Sequence, residues 1–202
     1  MSLSLSDLIA IIALALWPAV PLFWVPVHCA PQVFRRLGLF TYVLPFLTWL
    51  PAAAFILSRR SFLLQYQFSF PLAVHAAGGL LLVLGMALQI WTLALLTLPG
   101  IMGVPEVTDK VKGRLVTGGP FSVVRHPTYL SHTLMLLGVF LLTGVASTGV
   151  VTVLDILVVN TMIIPLEERE LAARFGEEYE EYRKKVPSRF LPGKRVNRES
   201  RT

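Results

Sequence analysis

An arginine, a histidine and a pair of glutamates carry most of the chemistry this chain can offer. Arg125 and His126 stand directly before an apolar run at residues 129–144. Glu167 and Glu168 stand directly after the next run, at residues 145–166. Pro127 is placed to begin a helix, because a first helical turn leaves its missing N–H unused. The start of that helix offers unpaired backbone N–H groups and a positive dipole end, which receive an anionic group such as a carboxylate. No charged break separates the two runs, and Gly144, Ser147 and Gly149 form a turn candidate. A hairpin returns its ends together. Arg125 and His126 should therefore meet Glu167 and Glu168 at one membrane face, with cations and N–H donors opposite a carboxylate. Such a site complements a zwitterion. It would equally serve as an ion pair anchoring the hairpin, and spacing leaves both readings open.

Other polar residues have weaker claims. Asp155 lies inside an apolar run with Asn160 five residues on, and an ionisable group inside a span is a functional suspect. The pair could line an acceptor cavity or make interhelical hydrogen bonds. His28, His75 and His132 are expected to be structural or interfacial. The sequence holds no HExxH, no CxxC pair and no Asp-rich loop, so no metal site is expected. Gly78, Gly79 and Gly85 follow no strand, which excludes a dinucleotide fingerprint. Residues 144–147 make a turn, not a nucleophile elbow. Cys29 is the single cysteine and can form no internal disulfide.

The elements that must position these residues are membrane spans. Hydrophobic residues make up 54% of the 202 and charged residues 15%, against roughly 25% charged in soluble domains. A bilayer core of about 30 Å needs about 20 apolar residues per helix. Five runs qualify: 8–27, 37–57, 71–98, the short 129–144, and 145–166. Pro18, Pro21 and Pro26 predict a kink or early end in the first run. Residues 1–7 lack the basic start of a cleavable signal, so that run is read as a span. The aromatic stretch 62–70 is expected at the interface. Gly78, Gly79 and Gly85 give the third run a small-residue face for close packing. The stretch 99–124 is Gly- and Pro-rich and carries Glu106, Asp109, Lys110, Lys112 and Arg114, too polar for lipid and too long for a tight turn. It is read as a functional loop.

Residues 167–186 read as an interfacial helix with a Leu171, Phe175, Tyr179, Tyr182 stripe and a weak point at Gly176. The last ten or so residues are basic and expected to fray. Four of the eighteen Lys and Arg precede position 105, and fourteen follow it. That skew puts the 99–128 loop, the tail and the Arg35–Arg36 break on the cytoplasmic side, near anionic lipid. It is not a nucleic-acid signal. The fold class expected is all-α, a polytopic membrane bundle of about five spans with a C-terminal interfacial helix. It forms one domain over 1–202, with N-terminal spans at 8–98 and the loop, hairpin and C-terminal helix at 99–192.

Three ordered features over residues 106–192 resemble a known family. They are Arg125, His126, Pro127, Thr128 and Tyr129 in sequence, the Glu167, Glu168 pair, and the Phe175-to-Pro187 stretch rich in Glu and Tyr. Together they look like the isoprenylcysteine carboxyl methyltransferases. The wider membrane phospholipid methyltransferases share the Arg-His-Pro-x-Tyr and Glu-Glu features. The resemblance implies a multi-span fold binding S-adenosyl-L-methionine at the cytosolic face and methylating a lipophilic acceptor. It assigns Gly113, Arg114, Leu115 and Val116 to a first cofactor loop, with Phe121 where the family commonly has Tyr. His126, Pro127, Thr128 and Tyr129 form the second cofactor segment, and Glu167 is the acidic cofactor contact. Arg125, His126 and Glu167 are the residues implied at the reacting centre. The family has an Arg four residues before that Glu, linked to a carboxylate substrate. Ile163 stands there in this chain, so the acceptor stays open among an amine, a thiol and a quinone-like group. Methyl transfer from a sulfonium is an in-line displacement governed by positioning. Neither a covalent intermediate nor a metal is expected. A small transporter and a non-catalytic membrane scaffold remain the competing classes.

Overall fold

The computed structural model describes residues 3–108 and 113–193. Asp109, Lys110 and Lys112 of the polar loop and the basic tail from 194 lie outside the described residues.

Among the described residues twelve α-helices follow in order: α1 (Leu5–Leu16), α2 (Ala19–Cys29), α3 (Pro31–Leu37), α4 (Leu44–Ser58), α5 (Arg60–Leu63), α6 (Leu72–Leu95), α7 (Leu98–Ile101), α8 (Val104–Val107), α9 (Pro127–Thr143), α10 (Ala146–Val158), α11 (Ile164–Phe175) and α12 (Glu177–Lys185). Among the described residues there is no strand beyond an isolated bridge between Gln67 and Val145. Four helical stretches are long and apolar enough to cross a membrane: Leu5–Cys29, Pro31–Ser58, Leu72–Leu95 and Ala146–Phe175. The fifth, Pro127–Thr143, is shorter, as its apolar run predicts. The expected all-α bundle of about five spans is what forms. The first span breaks where α1 gives way to α2 at Trp17 and Pro18, since proline removes a donor from the helix.

Helix α6 lies along α9 so closely that side chains are excluded between them. A Cβ on Gly78 would stand 2.5 Å from the Leu142 nitrogen, and one on Gly138 would stand 2.6 Å from the Leu82 nitrogen. In lipid, van der Waals packing of this kind replaces the hydrophobic drive that water supplies. Gly79, expected on the same face, is turned aside; its nearest such neighbour is 4.0 Å away. Gly138→Leu should destabilise the fold by about 1–3 kcal/mol through overpacking. Thermal unfolding in detergent measures this, with Gly79→Leu as the near-neutral control.

The α9–α10 hairpin closes at Gly144, whose φ of 70° puts it in the left-handed region. The aromatic stretch before α6 seals the tip: Phe68 N–H donates to Gly144 at 2.8 Å and Ala146 N–H to Tyr66 at 2.9 Å. The α4–α5 junction and the start of α1 gather at this end, where Gln67 donates to Asp7 at 2.9 Å. Residues 29–38, 96–108, 113–128 and 164–193 gather at the opposite end. Arg35 reaches Glu170 there at 3.9 Å.

Two features of the last span differ from expectation. It does not end at 166 but runs on as α11 to Phe175, and the C-terminal helix breaks at Gly176, which adopts φ 54°, ψ −123°. The Leu171, Phe175, Tyr179, Tyr182 stripe still packs as one cluster, with Val186 and Leu115. The span also widens to a π turn at Val159–Ile163. Pro165 explains it, having no N–H for the Thr161 carbonyl one turn back. Side chains join in: the Asn160 amide donates to Ile156 O at 2.8 Å and the Thr161 hydroxyl to Leu157 O at 2.7 Å. The inserted residue rotates everything after it. Glu167, Leu171 and Arg174, spaced i, i+4, i+7, then share the inner face.

Candidate functional site

The hairpin brings its two ends together as expected, and the ion pairs sort the two glutamates into different jobs. Glu168 is 6% exposed. Its Oε1 accepts from Arg125 Nε at 2.9 Å and Nη2 at 2.7 Å, and lies 3.3 Å from His126 Nε2. Its Oε2 accepts from Arg189 Nη2 at 2.8 Å. Arg125 spends its remaining arm on the carbonyls of Val186 and Pro187, at 2.6 and 2.8 Å. The backbone repeats the clasp: Arg125 N–H donates to Ser188 O at 2.9 Å and His126 N–H to Arg189 O at 3.1 Å. Arg125 and Glu168 therefore staple the segment after α12 beneath the hairpin.

Glu167 faces the other way. Its side chain keeps 28% of its exposure, and Oε2 lies 3.6 Å from His126 Nδ1, beyond hydrogen-bonding distance. That oxygen has no hydrogen-bond partner among the described residues. His126 sits between the glutamates, its side chain 3% exposed and its ring stacked on Tyr129. Burial pulls the imidazole down, but the neighbouring carboxylates of Glu167 and Glu168 outweigh it and hold His126 above its usual range. Burial also pushes the Tyr179 and Tyr182 phenols up. They stay neutral, and Tyr182 OH donates to Phe121 O at 2.7 Å.

The raised His126 value has a consequence for stability. The folded state binds this proton more tightly than the unfolded chain, whose imidazole titrates near 6.5. The contribution is whole below about pH 6.5 and is lost as pH rises through the folded value. Thermal unfolding between pH 6 and 9 should show the midpoint falling with pH. A His126→Gln variant should show a shallower fall.

A cavity of about 380 Å³ opens at this end of the bundle. Small-molecule sites run to roughly 300–1,000 Å³. Its wall contains Gly113, Arg114, Leu115, Val116, Phe121, Arg125, His126, Thr128, Tyr129 and Glu167. These are all the residues singled out from the two loop segments and the Glu-Glu pair except Glu168 and Pro127, the latter wholly buried as the first residue of α9. Arg114 is anchored by a 3.3 Å bond from Nη2 to Leu95 O. Asp155, Asn160 and Ile163 reach the wall of neither cavity. Asp155 is 2% exposed and held by neighbouring helices, Asn160 bonds its own helix, and Ile163 is buried against Tyr129, Val159 and Ile164.

The wall also contains residues that the motifs did not flag. Val20 and Trp24 come from α2, Gln89 from α6, His132 from α9, and Leu171 and Arg174 from α11. The i, i+4, i+7 spacing from Glu167 could have found the last two. A second cavity, about 890 Å³, adjoins the first through Pro105, Gly113 and Arg174 and is lined by His28, Arg35, Arg169 and Glu170. No group of three or more His, Cys, Asp or Glu among the described residues could hold a metal ion.

Residues 73–178 match the family model described as phospholipid methyltransferase. The protein-S-isoprenylcysteine O-methyltransferase of Schizosaccharomyces pombe is 39% identical over 74 residues, covering 37% of this chain and 31% of that protein. The cobalt-zinc-cadmium resistance protein CzcN of Cupriavidus metallidurans is 32% identical over 111 residues, covering 50% of this chain and 51% of that one. The chain thus spans about a third of one relative and half of the other. No solved structure matches significantly.

Proposed function

Since this chain belongs to the phospholipid methyltransferase family, an integral membrane family in keeping with its apolar helices, we propose that it transfers a methyl group from S-adenosyl-L-methionine to a lipophilic acceptor. The reaction takes place where the hairpin ends meet the water, at the cytoplasmic face by the distribution of Lys and Arg. One observation carries the reading. Glu167, whose Oε2 has no hydrogen-bond partner among the described residues, lines a cavity whose wall also holds Gly113 to Val116, His126, Thr128 and Tyr129.

That wall fits the donor's chemistry. Glu167 Oε2 accepts from an ammonium or a ribose hydroxyl, Arg114 meets a carboxylate, and Tyr129, Leu115 and Phe121 supply apolar surface. The bound donor supplies an electrophilic methyl on a sulfonium. The protein's part is to hold the two reactants in line. His126, held between two carboxylates, fixes Glu167 and keeps the site from collapsing. Arg125 and Glu168 act through structure, closing the floor with the segment 186–189. The acceptor's apolar tail enters from the lipid beside α2 and α6, whose Val20, Trp24 and Gln89 form the inner wall. Gly100, Ile101, Pro105 and Gly113 to Val116 of the polar stretch border the cavity and would help to exclude water.

Incubation with methyl-labelled S-adenosyl-L-methionine and vesicles of total lipid extract should move label into the organic phase. Label that stays aqueous with every lipid fraction would refute a lipophilic acceptor.

A further inference from the structure

The polar cluster inside the membrane is built like a catalytic dyad, and it borders the site. Asp155 of α10 accepts the Trp17 indole N–H at 3.1 Å and the Thr133 hydroxyl at 2.6 Å, and its Oδ1 lies 3.1 Å from His132 Nδ1. A carboxylate only accepts, so His132 Nδ1 carries the proton in that bond. The neutral ring then holds its lone pair on Nε2, which has no hydrogen-bond partner among the described residues. The ring is not sealed in: its side chain is 22% exposed and lines the 380 Å³ cavity.

Depth gives the arrangement its meaning. His132 lies one turn beyond Thr128 on α9, about 6 Å further along the helix axis, away from its first turn. Gln89, on the facing helix α6, lines the cavity beside it. An acceptor arriving between spans would present its head on this side, further into the bundle than Thr128. An ionised carboxylate inside an apolar helix is costly, and bonds to an indole and a hydroxyl alone would be met by an amide. A carboxylate does something that an amide does not: it fixes the imidazole tautomer and stabilises the imidazolium once that forms.

We propose that His132 is the general base for the acceptor, that Asp155 is its positioning residue, and that the acceptor is a group that must lose a proton: an ammonium or amine, a thiol or a hydroxyl, rather than a carboxylate. This rests on the methyltransferase reading above. The acceptor's heteroatom X forms the new X–CH3 bond as the methyl–sulfur bond breaks, and that bond's electron pair stays on sulfur, which becomes a neutral thioether. The proton leaves X for His132 Nε2, giving an imidazolium paired with Asp155. Water takes the proton as the product departs. A carboxylate acceptor is already ionised at neutral pH and would have no use for this base.

Asp155 is the titratable group that touches the ring. The other charged groups on the wall, Arg114, Arg125, His126, Glu167 and Arg174, belong to the donor end, as do the phenols of Tyr129, Tyr179 and Tyr182. The protonation of His132 should therefore govern the acidic limb of the rate–pH profile.

The test uses the full chain in nanodiscs, with phosphatidylethanolamine, an alkyl thiol and farnesylcysteine as separate probes. With a protic acceptor, His132→Gln should cut turnover about 10²–10⁴-fold and abolish the acidic limb. Asp155→Asn should lower kcat with little change in KM. In both variants S-adenosylhomocysteine affinity should stay within about threefold. Nitrogen-15 spectra of labelled histidine supply a readout independent of turnover: wild-type His132 should show the Nδ1-protonated neutral ring, and Asp155→Asn should lose that preference. An Nε2-protonated wild-type ring overturns the proposal, as does turnover in His132→Gln within fivefold of wild type with the acidic limb intact. Methylation confined to the farnesylcysteine carboxylate and indifferent to His132→Gln overturns it too. Wild-type protein that binds no S-adenosylhomocysteine brings down the methyltransferase reading itself, and with it the base; intact binding with a dispensable His132 brings down the base alone.

Discussion

Glu168→Ala is expected to destabilise the fold by about 3–5 kcal/mol. The loss comes less from the missing bonds than from what remains. Arg125 would keep a guanidinium with its side chain 6% exposed and no counter-charge, and His126 would lose one of its two carboxylates. Glu168→Gln should do nearly as much harm, since it keeps the shape and removes the charge. A double variant, Arg125→Met with Glu168→Leu, should recover part of the loss, because replacing both members of a buried pair removes the orphaned charge. Thermal unfolding in detergent decides the matter. A Glu168→Ala midpoint within a degree of wild type would mean that the clasp onto residues 186–189 is not what holds the tail.

Its neighbour should behave in the opposite way. Glu167→Gln should lower the unfolding midpoint far less than Glu168→Ala, since the side chain is part-exposed and Oε2 has no hydrogen-bond partner among the described residues. Affinity for S-adenosylhomocysteine should fall about 10- to 100-fold, equivalent to the 1.5–3 kcal/mol of a charged hydrogen bond. The contrast between adjacent glutamates separates ligand contact from scaffolding more sharply than either variant alone. Equal behaviour of the two, whether in stability or in binding, would contradict the division of labour between Glu167 and Glu168.

Much of this site is legible in the sequence because it interrupts an otherwise apolar chain. Arg125, His126, Glu167 and Glu168 stand at the ends of uncharged runs, and a hairpin leaves them no choice but to meet. The break at Gly176 is visible as a weak point, though not as the positive φ that ends α11. Register is what the sequence hides. The π turn at Val159–Ile163 adds a residue to its turn, so counting at 3.6 residues per turn through it misplaces the side chains on either side. Asp155 and Asn160, read as lining an acceptor cavity, point to a hydrogen-bond cluster and the outer helix face, and Ile163, standing where the family has an Arg, points to the core. His132 is invisible for another reason. It is ordinary until Asp155, 23 residues away on the next helix, is placed against it. Val20 and Trp24 come from a span with no motif at all, and tertiary packing alone brings them to the wall.

Binding of the demethylated donor tests the central claim most directly. Titration of S-adenosylhomocysteine into the purified wild-type protein, followed by calorimetry, should give saturable binding at one site per chain, lost in Glu167→Ala. Wild-type protein with no saturable binding, or a Glu167→Ala variant that binds as tightly as wild type, would contradict the assignment of this cavity to the methyl donor.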